Sequence, residues 1–483
     1  MKRHLNRIIN SLFYFNYRQQ FLLIIVGLLT NTLALSQYNN FWNLQYGNLS
    51  TLLGGAVTAS YTDNGSIYYN PATLAFRDSV RVSFSAALYS SNLMKITNST
   101  SIDSTSRVYG FKRFPISLYP VFKLNATSSL GLIYLARIYS NFDFHEYVDA
   151  RKDIDNDGSN EQFISSFDYK NDLSEDWYGV SYSKLLSSKS SIGIATYVSY
   201  RRHNYINNYT ADVVFDVAKR DYLTTDIQHY MTYYQYSGIF KIGYFHEFDN
   251  FSFGCALTLP SFSIFSSALS TSRLYLTGYQ DYFPADTINS LLIQTEASNA
   301  KANHKYPSSL NIGIKKKFDN VSIYSSAEVY LPIQKYRLFD FNNELNGIPP
   351  VYPSVTDLIL NSETESRLLL NLAFGMQILA KNGRITSLGL CTDFNSLPKS
   401  FKPRGYNTSF GRNNIYHLTV GRELTVLKIR VNGGLKFSYG YSNNLTQFVD
   451  MNSASPSNFL LGDRKPISDY RIMALSLLLG FNF

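Results

Sequence analysis

The sequence predicts an all-β fold: a transmembrane antiparallel β-barrel of about 14 strands with an N-terminal hatch in its lumen. Three observations predict it. The chain carries segments of about ten alternating residues, the length that crosses a bilayer as a tilted strand. Short and long connections alternate strictly between them. The last segment is apolar on one face and ends in an aromatic residue.

That last segment sets the pattern. From Arg471 onward, Met473, Leu475, Leu477, Leu479, Phe481 and Phe483 alternate with Ile472, Ala474, Ser476, Leu478, Gly480 and Asn482. In water the apolar face would need a covering layer, whereas in a bilayer it simply faces lipid. A terminal Phe resembles the signal read by outer-membrane assembly machinery, which makes that machinery and outer-membrane lipid expected partners.

Fourteen such segments begin near Val80, Phe114, Ser129, Asp176, Ser191, Tyr234, Asn250, Ser308, Val321, Arg367, Ile385, Asn413, Val426 and Tyr470. Phase is clearest where Leu368, Leu370, Leu372, Phe374, Met376 and Ile378 share one face and Asn371, Ala373, Gly375 and Gln377 the other. Ile192, Ile194 and Val198 oppose Gly193, Ala195 and Ser199 in the same way, as Leu427, Ile429, Val431, Leu435 and Phe437 oppose Lys428, Arg430, Asn432, Lys436 and Ser438. Apolar outside and polar inside is the inverted pattern of a membrane barrel.

Short connections at 125–128, 187–190, 247–249, 318–320, 381–384 and 423–425 alternate with long ones at 90–113, 140–175, 204–233, 263–307, 332–366, 395–412 and 440–469. Periplasmic turns and extracellular loops produce this alternation. A sheet in hydrocarbon must also close, because each unpaired edge group costs several kcal/mol there.

The N-terminus carries Lys2, Arg3, Arg7 and Arg18, the apolar run Phe21 to Leu29 and the small-residue exit Ala34-Leu35-Ser36. These describe a signal peptide over residues 1–36, cleaved after Ser36, on an exported outer-membrane protein. Its removal takes four Lys/Arg and no acid, lowering the formal charge from +9 to +5. So mild a charge does not mark a nucleic-acid binder. With 39 Tyr, 34 Phe and 16% charged residues, the full chain is aromatic and weakly charged. Cys255 and Cys391 fall on opposite strand faces and support no disulfide.

Residues 37–79 do not alternate over strand length and read as a separate element in the lumen, leaving 80–483 for the barrel. Here Leu53-Gly54-Gly55-Ala56-Val57 leads through Asp63-Asn64-Gly65 to Ile67-Tyr68-Tyr69-Asn70-Pro71-Ala72-Thr73-Leu74-Ala75. Pro71 fixes φ and Asn70 can bond its own backbone, so Asn70, Pro71 and Ala72 make a rigid turn. This stretch of about 25 residues resembles the N-terminal hatch of the FadL/TodX family of outer-membrane transporters for hydrophobic compounds. The resemblance implies a fourteen-stranded barrel plugged by that hatch. It also implies capture of apolar ligands by extracellular loops, here 204–233 and 263–307, and lateral exit through a gap beside the hatch.

If the phases hold, the lumenal ionisable set includes Arg137, Arg201, Lys241, Lys315, Arg367, Lys428, Arg430 and Lys436 against Glu328 and Asp393. A basic interior suits an amphipathic anion such as a fatty acid, with Arg or Lys pairing the carboxylate. The same residues would equally serve as hatch-facing salt bridges. In the predicted loop 140–175, Asp153, Asp155 and Asp157 stand at positions one, three and five, Gly158 at six and Ser159 at seven, as a Ca²⁺ loop requires. The twelfth position holds Ile164 where a bidentate Glu belongs, which leaves a solvated acidic turn as the other reading. No nucleophile elbow, zinc-type His cluster, phosphate-cradling Gly loop or paired carboxylates stand at catalytic spacing. The expectation is therefore a passive transporter with a hydrophobic small-molecule ligand. A FadL-like component of a type IX secretion pathway and an adhesive or structural surface barrel stay open beside it.

Overall fold

The computed structural model describes residues 39–77, 81–216, 221–279, 290–338, 363–381, 383–398, 412–426 and 429–482. The expected signal peptide, Lys428 and Phe483 lie outside these residues.

Fourteen antiparallel strands close into a barrel. In chain order they are β1 (Arg81–Thr97), β2 (Thr105–Lys123), β3 (Ser128–Lys152), β4 (Glu161–Leu185), β5 (Ser190–Asp216), β6 (Asp221–Glu247) and β7 (Phe251–Thr258). After the hairpin β8 (Phe262–Thr277) and β9 (Ser290–Ala300) come β10 (Ser309–Phe318) and β11 (Val321–Tyr330). The small ladder β12 (Ile333–Arg337) and β13 (Glu363–Ser366) precedes β14 (Leu369–Leu379), β15 (Ile385–Asp393), β16 (Asn414–Val426), β17 (Ile429–Leu445) and β18 (Ser468–Asn482). Neighbours in sequence pair around the ring, and β1 closes it on β18 from Ser83↔Asn482 to Thr97↔Asp469. Hairpin β8–β9 stands outside the fourteen, extending the wall above β7 along the upper part of β6.

The predicted phases hold through the bilayer-crossing part. Leu370, Phe374 and Ile378 point outward while Asn371, Ala373 and Gln377 are buried inside, and Met473, Leu475 and Leu477 line the outer face of β18. Cys391 is buried in the lumen, Cys255 sits on the opposite face, and both are free.

The long connections are the main correction. Residues 140–175, 204–233 and 263–307 were expected to be loops, yet most of them continue the strands, so that β3 and β4 reach 25 residues and β5 and β6 reach 27. The reason is an exchange of faces. On β5 the outward apolar residues Ile192, Ile194 and Val198 give way to inward ones at Tyr205, Tyr209, Ala211 and Val213. On β4, outward Tyr178 and Val180 are preceded by inward Phe163, Phe167, Tyr169 and Leu173. Below the change the wall faces lipid, and above it the wall faces water and packs its own interior. The turn expected at 423–425 is also displaced: β16 runs to Val426 and β17 begins at Ile429.

Residues 39–77 pack inside the ring as short helical turns, Asn48–Leu52 and Ser66–Tyr69, and a 3₁₀ turn, Pro71–Phe76. Asp63 stabilises the first: its carboxylate accepts the Leu49 and Ser50 amides at 2.5 and 2.8 Å, donors that have no partner within so short a helix.

Candidate functional site

The site is built around an interruption of the wall. The β2–β3 ladder pairs only Ser117–Lys123 with Ser129–Leu135, and it already skips from Leu118 to Val121 at Pro120, which has no N–H to donate. Above Ser117 and Leu135 no backbone ladder joins the two strands among the described residues. Their side chains meet again where the Ser106 hydroxyl donates to Glu146. The result is a window between β2 and β3. Register through β1 carries the lower part of its β2 edge to the stretch of β18 that exposes Met473, Leu475 and Leu477, so the window starts at bilayer depth and rises above it.

Arg137 stands at the β3 edge of this window, at a bulge between Ala136 and Ile138 that turns its side chain into the lumen. Its guanidinium is buried and lies 4.7 Å from the centre of the Trp177 ring and 5.2 Å from that of Tyr306. Its Nη atoms donate to the Phe41 carbonyl and to the Tyr68 and Tyr306 hydroxyls at 3.1, 2.7 and 3.2 Å. All three acceptors are neutral. Beside it Glu175 and Arg201, directly paired across β4 and β5, form a buried ion pair, with Trp177 Nε1 donating to Glu175 and Arg201 Nε donating to the Tyr233 hydroxyl at 3.0 Å.

The other basic residues expected in the lumen divide into three groups. Lys241 and Lys436 are buried there, but both hold the N-terminal segment. Lys241 Nζ donates to the Tyr68 carbonyl at 2.8 Å, and Lys436 Nζ to the Asn43 carbonyl and Gln45 Oε1 at 2.8 and 2.6 Å. Glu328 and Asp393 act from the acidic side, accepting the Trp42 indole and amide at 2.7 and 2.8 Å. Lys315 is half-buried over the Tyr61 and Tyr324 rings. Arg367 and Arg430 are corrections. Arg367 precedes the start of β14 and is exposed, donating to the Asn395 carbonyl, while Arg430 keeps the inward phase but lies exposed at the turn end of β17. Arg137 and Arg201 are thus the two predicted residues that meet beside the window.

Asn70, Pro71 and Ala72 bind the segment to the wall of β5 and β6, near the window. Asn70 Oδ1 accepts the Ala72 amide at 3.1 Å, and Asn70 Nδ2 donates to the Thr58 and Tyr244 carbonyls, both at 2.9 Å. The approach depends on Gly243, where a Cβ would fall 2.1 Å from Asn70 Oδ1, and on Gly193, where it would fall 2.5 Å from the Pro71 carbonyl carbon. Sequence reasoning missed Trp177, Glu175 and Tyr306. The cross-strand partnership of Glu175 with Arg201 was a readable signal, but only once β4 and β5 are allowed to extend above the bilayer.

At the β3–β4 turn, carboxylate oxygens of Asp153, Asp155 and Glu161 lie within 4.8 Å of one another. Asp153 and Asp155 also accept the Asp157 amide, and Asp157 accepts the Ser159 amide and hydroxyl. The Ser159 hydroxyl and amide hold the Asp157 carboxyl below its usual range. Glu161, at the ninth position, supplies the acid that Ile164 cannot.

No family model matches the sequence, and no curated protein does. Solved structures do. A Pseudomonas aeruginosa FadL homologue superposes with TM-score 0.54 at 11% identity, over 94% of this chain and 99% of its own. The P. putida toluene transporter TodX gives 0.52 at 14%, over 90% and 98%, and the Ralstonia pickettii toluene transporter TbuX 0.50 at 12%, over 91% and 99%. The closed ring and its apolar belt define a transmembrane β-barrel of the outer-membrane class. Within that class, the chain has the FadL/TodX fold.

Proposed function

We propose that the protein is an outer-membrane passive transporter for hydrophobic or amphipathic small molecules. The observation that carries this reading is the β2–β3 window, open at bilayer depth and edged by Arg137. A lumenal molecule leaves through it into the membrane without passing residues 39–77, which act as the hatch, anchored by Asn70, Pro71 and Ala72. An amphipath such as a long-chain fatty acid pairs its carboxylate with Arg137, whose present acceptors are neutral. Such passage runs down a gradient and needs no catalytic group. Partners on this reading are the small-molecule ligand, outer-membrane lipid and the barrel assembly machinery that reads the last strand. We also propose Ca²⁺ at Asp153, Asp155, Asp157, Ser159 and Glu161, stiffening the tip of the β3–β4 hairpin.

Mass spectrometry of small molecules retained by the gently purified protein tests the transport reading. Enrichment of one amphipathic species, lost in Arg137→Met and altered in the Asn70→Ala, Pro71→Ala variant, supports it. Bulk membrane lipid alone in all three, with a protein copurifying instead, sinks it in favour of a secretion or adhesion role.

A further inference from the structure

A row of three basic side chains crosses the seam where the ring closes. Lys95 on β1 stands directly opposite Arg471 on β18 and directly opposite Arg107 on β2. All three point outward, because their chain neighbours Met94, Ile96, Tyr470, Ile472 and Ser106 are buried on the inner face. Arg107 and Arg471 are exposed, and Lys95 is half-buried between them. Side chains directly opposite on neighbouring strands stand about 4.5 to 5.5 Å apart at Cβ, and like charges so placed repel. Among the described residues none of the three is in an ion pair, and Asp469, on the row above, lies opposite Thr97. Elsewhere on the outer wall, basic side chains sit beside carboxylates: His145 beside Asp168 at 2.6 Å, Lys170 beside Asp172 at 3.4 Å and Arg273 beside Asp226 at 3.9 Å.

We propose that Arg471, Lys95 and Arg107 form a binding site for the phosphorylated headgroup of an outer-leaflet lipid. The bound phosphate supplies the negative charge that the row lacks, through two guanidinium forks and one ammonium between them. The site lies on the outside of the barrel and does not depend on the transport reading.

Depth and surroundings carry the assignment. Ten residue steps of β18 separate Arg471 from Phe481 at the other end of the strand. They measure about 34 Å along the strand, or roughly 25 Å of vertical rise at a tilt of 35 to 45°, which is the height of an apolar membrane band. The row thus stands at the upper edge of that band, where lipid phosphates lie. Directly beneath it Tyr416, Tyr439, Met473, Leu93 and Tyr109 follow one another in register across five strands. The three Tyr and Met473 are exposed, as an interfacial aromatic girdle requires. Below the girdle Phe437, Leu475 and Leu477 continue an apolar wall against which acyl chains can lie. The Arg471 guanidinium is held over the Tyr441 ring, 5.2 Å from its centre. Arg107 immediately follows Ser106, which meets Glu146 at the top of the window, so the headgroup sits at the upper corner of the window's β2 edge.

The test titrates the full-length protein, folded in a neutral detergent, with diphosphoryl lipid A and counts the retained lipid by native mass spectrometry. Each base near a charged lipid surface contributes roughly a fivefold factor in binding. Half-retention by Lys95→Gln is therefore expected at a roughly fivefold higher lipid concentration than by the parent, and by the triple variant with Arg107→Gln and Arg471→Gln at about a hundredfold higher. Dephosphorylated lipid A should be held no better by the parent than by the triple variant. Thermal unfolding supplies a second readout, which the single variant carries even if the triple variant folds poorly. Without anionic lipid Lys95→Gln should melt above the parent, because a like-charge repulsion is gone, and with diphosphoryl lipid A it should melt below it. Equal retention by the parent and the variants overturns the site, as does an order of melting that lipid A does not reverse. Displacement of lipid A from the parent by millimolar inorganic phosphate assigns the row to free phosphate and overturns the lipid. A protein that copurifies with the parent in place of lipid A, and not with Lys95→Gln, overturns it in favour of an acidic partner.

Discussion

A methyl group at Gly243 is expected to loosen the segment 39–77 without touching the lipid belt. A Cβ at this position would lie 2.1 Å from Asn70 Oδ1, 2.8 Å from Pro71 Cδ and 3.1 Å from the Ala72 amide nitrogen, so the Asn70–Ala72 turn must retreat by about an ångström. That retreat breaks the bond from Asn70 Nδ2 to the Tyr244 carbonyl of β6, while the bonds that Asn70 makes to Thr58 and Ala72 lie within the segment and move with it. Inserting a methyl into a packed contact costs about 1 to 3 kcal/mol, or about one to two orders of magnitude in the docking equilibrium of the segment. Gly433→Ala is the control, because a Cβ there has no neighbour within 4 Å. Limited proteolysis of both variants in detergent measures cleavage within residues 39–77, and heat-modifiability on a gel reports the barrel. Gly243→Ala should cut about ten- to a hundredfold faster than the parent while the barrel band is unchanged. Equal cleavage of the two variants would refute the close-approach argument.

Leu477→Arg places a charge on the outward face of β18, beside Leu435 on β17, and should destabilise assembly by ~2 to 4 kcal/mol, read as unfolded protein after refolding into vesicles. Arg201→Met leaves the Glu175 carboxylate buried without its cation and should cost about 3 to 5 kcal/mol in urea unfolding, with partial recovery when Glu175→Gln is added. Calorimetry with CaCl₂ should detect one site that Glu161→Gln weakens at least tenfold, and equal binding by parent and variant would remove Glu161 from the ligand set.

Strand number, lipid face and ring closure were legible because a bilayer imposes one rule along each crossing: apolar outward every second residue. The rule stops at the membrane surface. Beyond it Phe142, Phe163, Phe167, Tyr205 and Val213 keep a period of two, but their apolar side is the inner one, so a reading tuned to the lipid pattern took them for loop. Of the lumenal charges, Arg137 and Arg201 were found by phase alone. Their surroundings were hidden because Tyr68, Trp177 and Tyr306 come from three distant parts of the chain. The roles of Lys241 and Lys436 as anchors were equally invisible, since their acceptors are main-chain carbonyls, which carry no sequence signal.

The exchange of faces on β3–β6 also sets a height. A strand of 27 residues measures about 90 Å along its length, and a tilt of 35 to 45° turns that into roughly 65 to 75 Å of vertical rise. Since the apolar band takes only about 25 Å of it, up to roughly 50 Å of continuous sheet stands above the bilayer. Such a chimney lifts the mouth of the barrel well clear of the lipid headgroups. On the transport reading proposed above, a solute sparingly soluble in water is met well outside the membrane. The rigidity of a hydrogen-bonded wall, where a flexible loop would collapse, keeps that mouth at a constant distance from the surface.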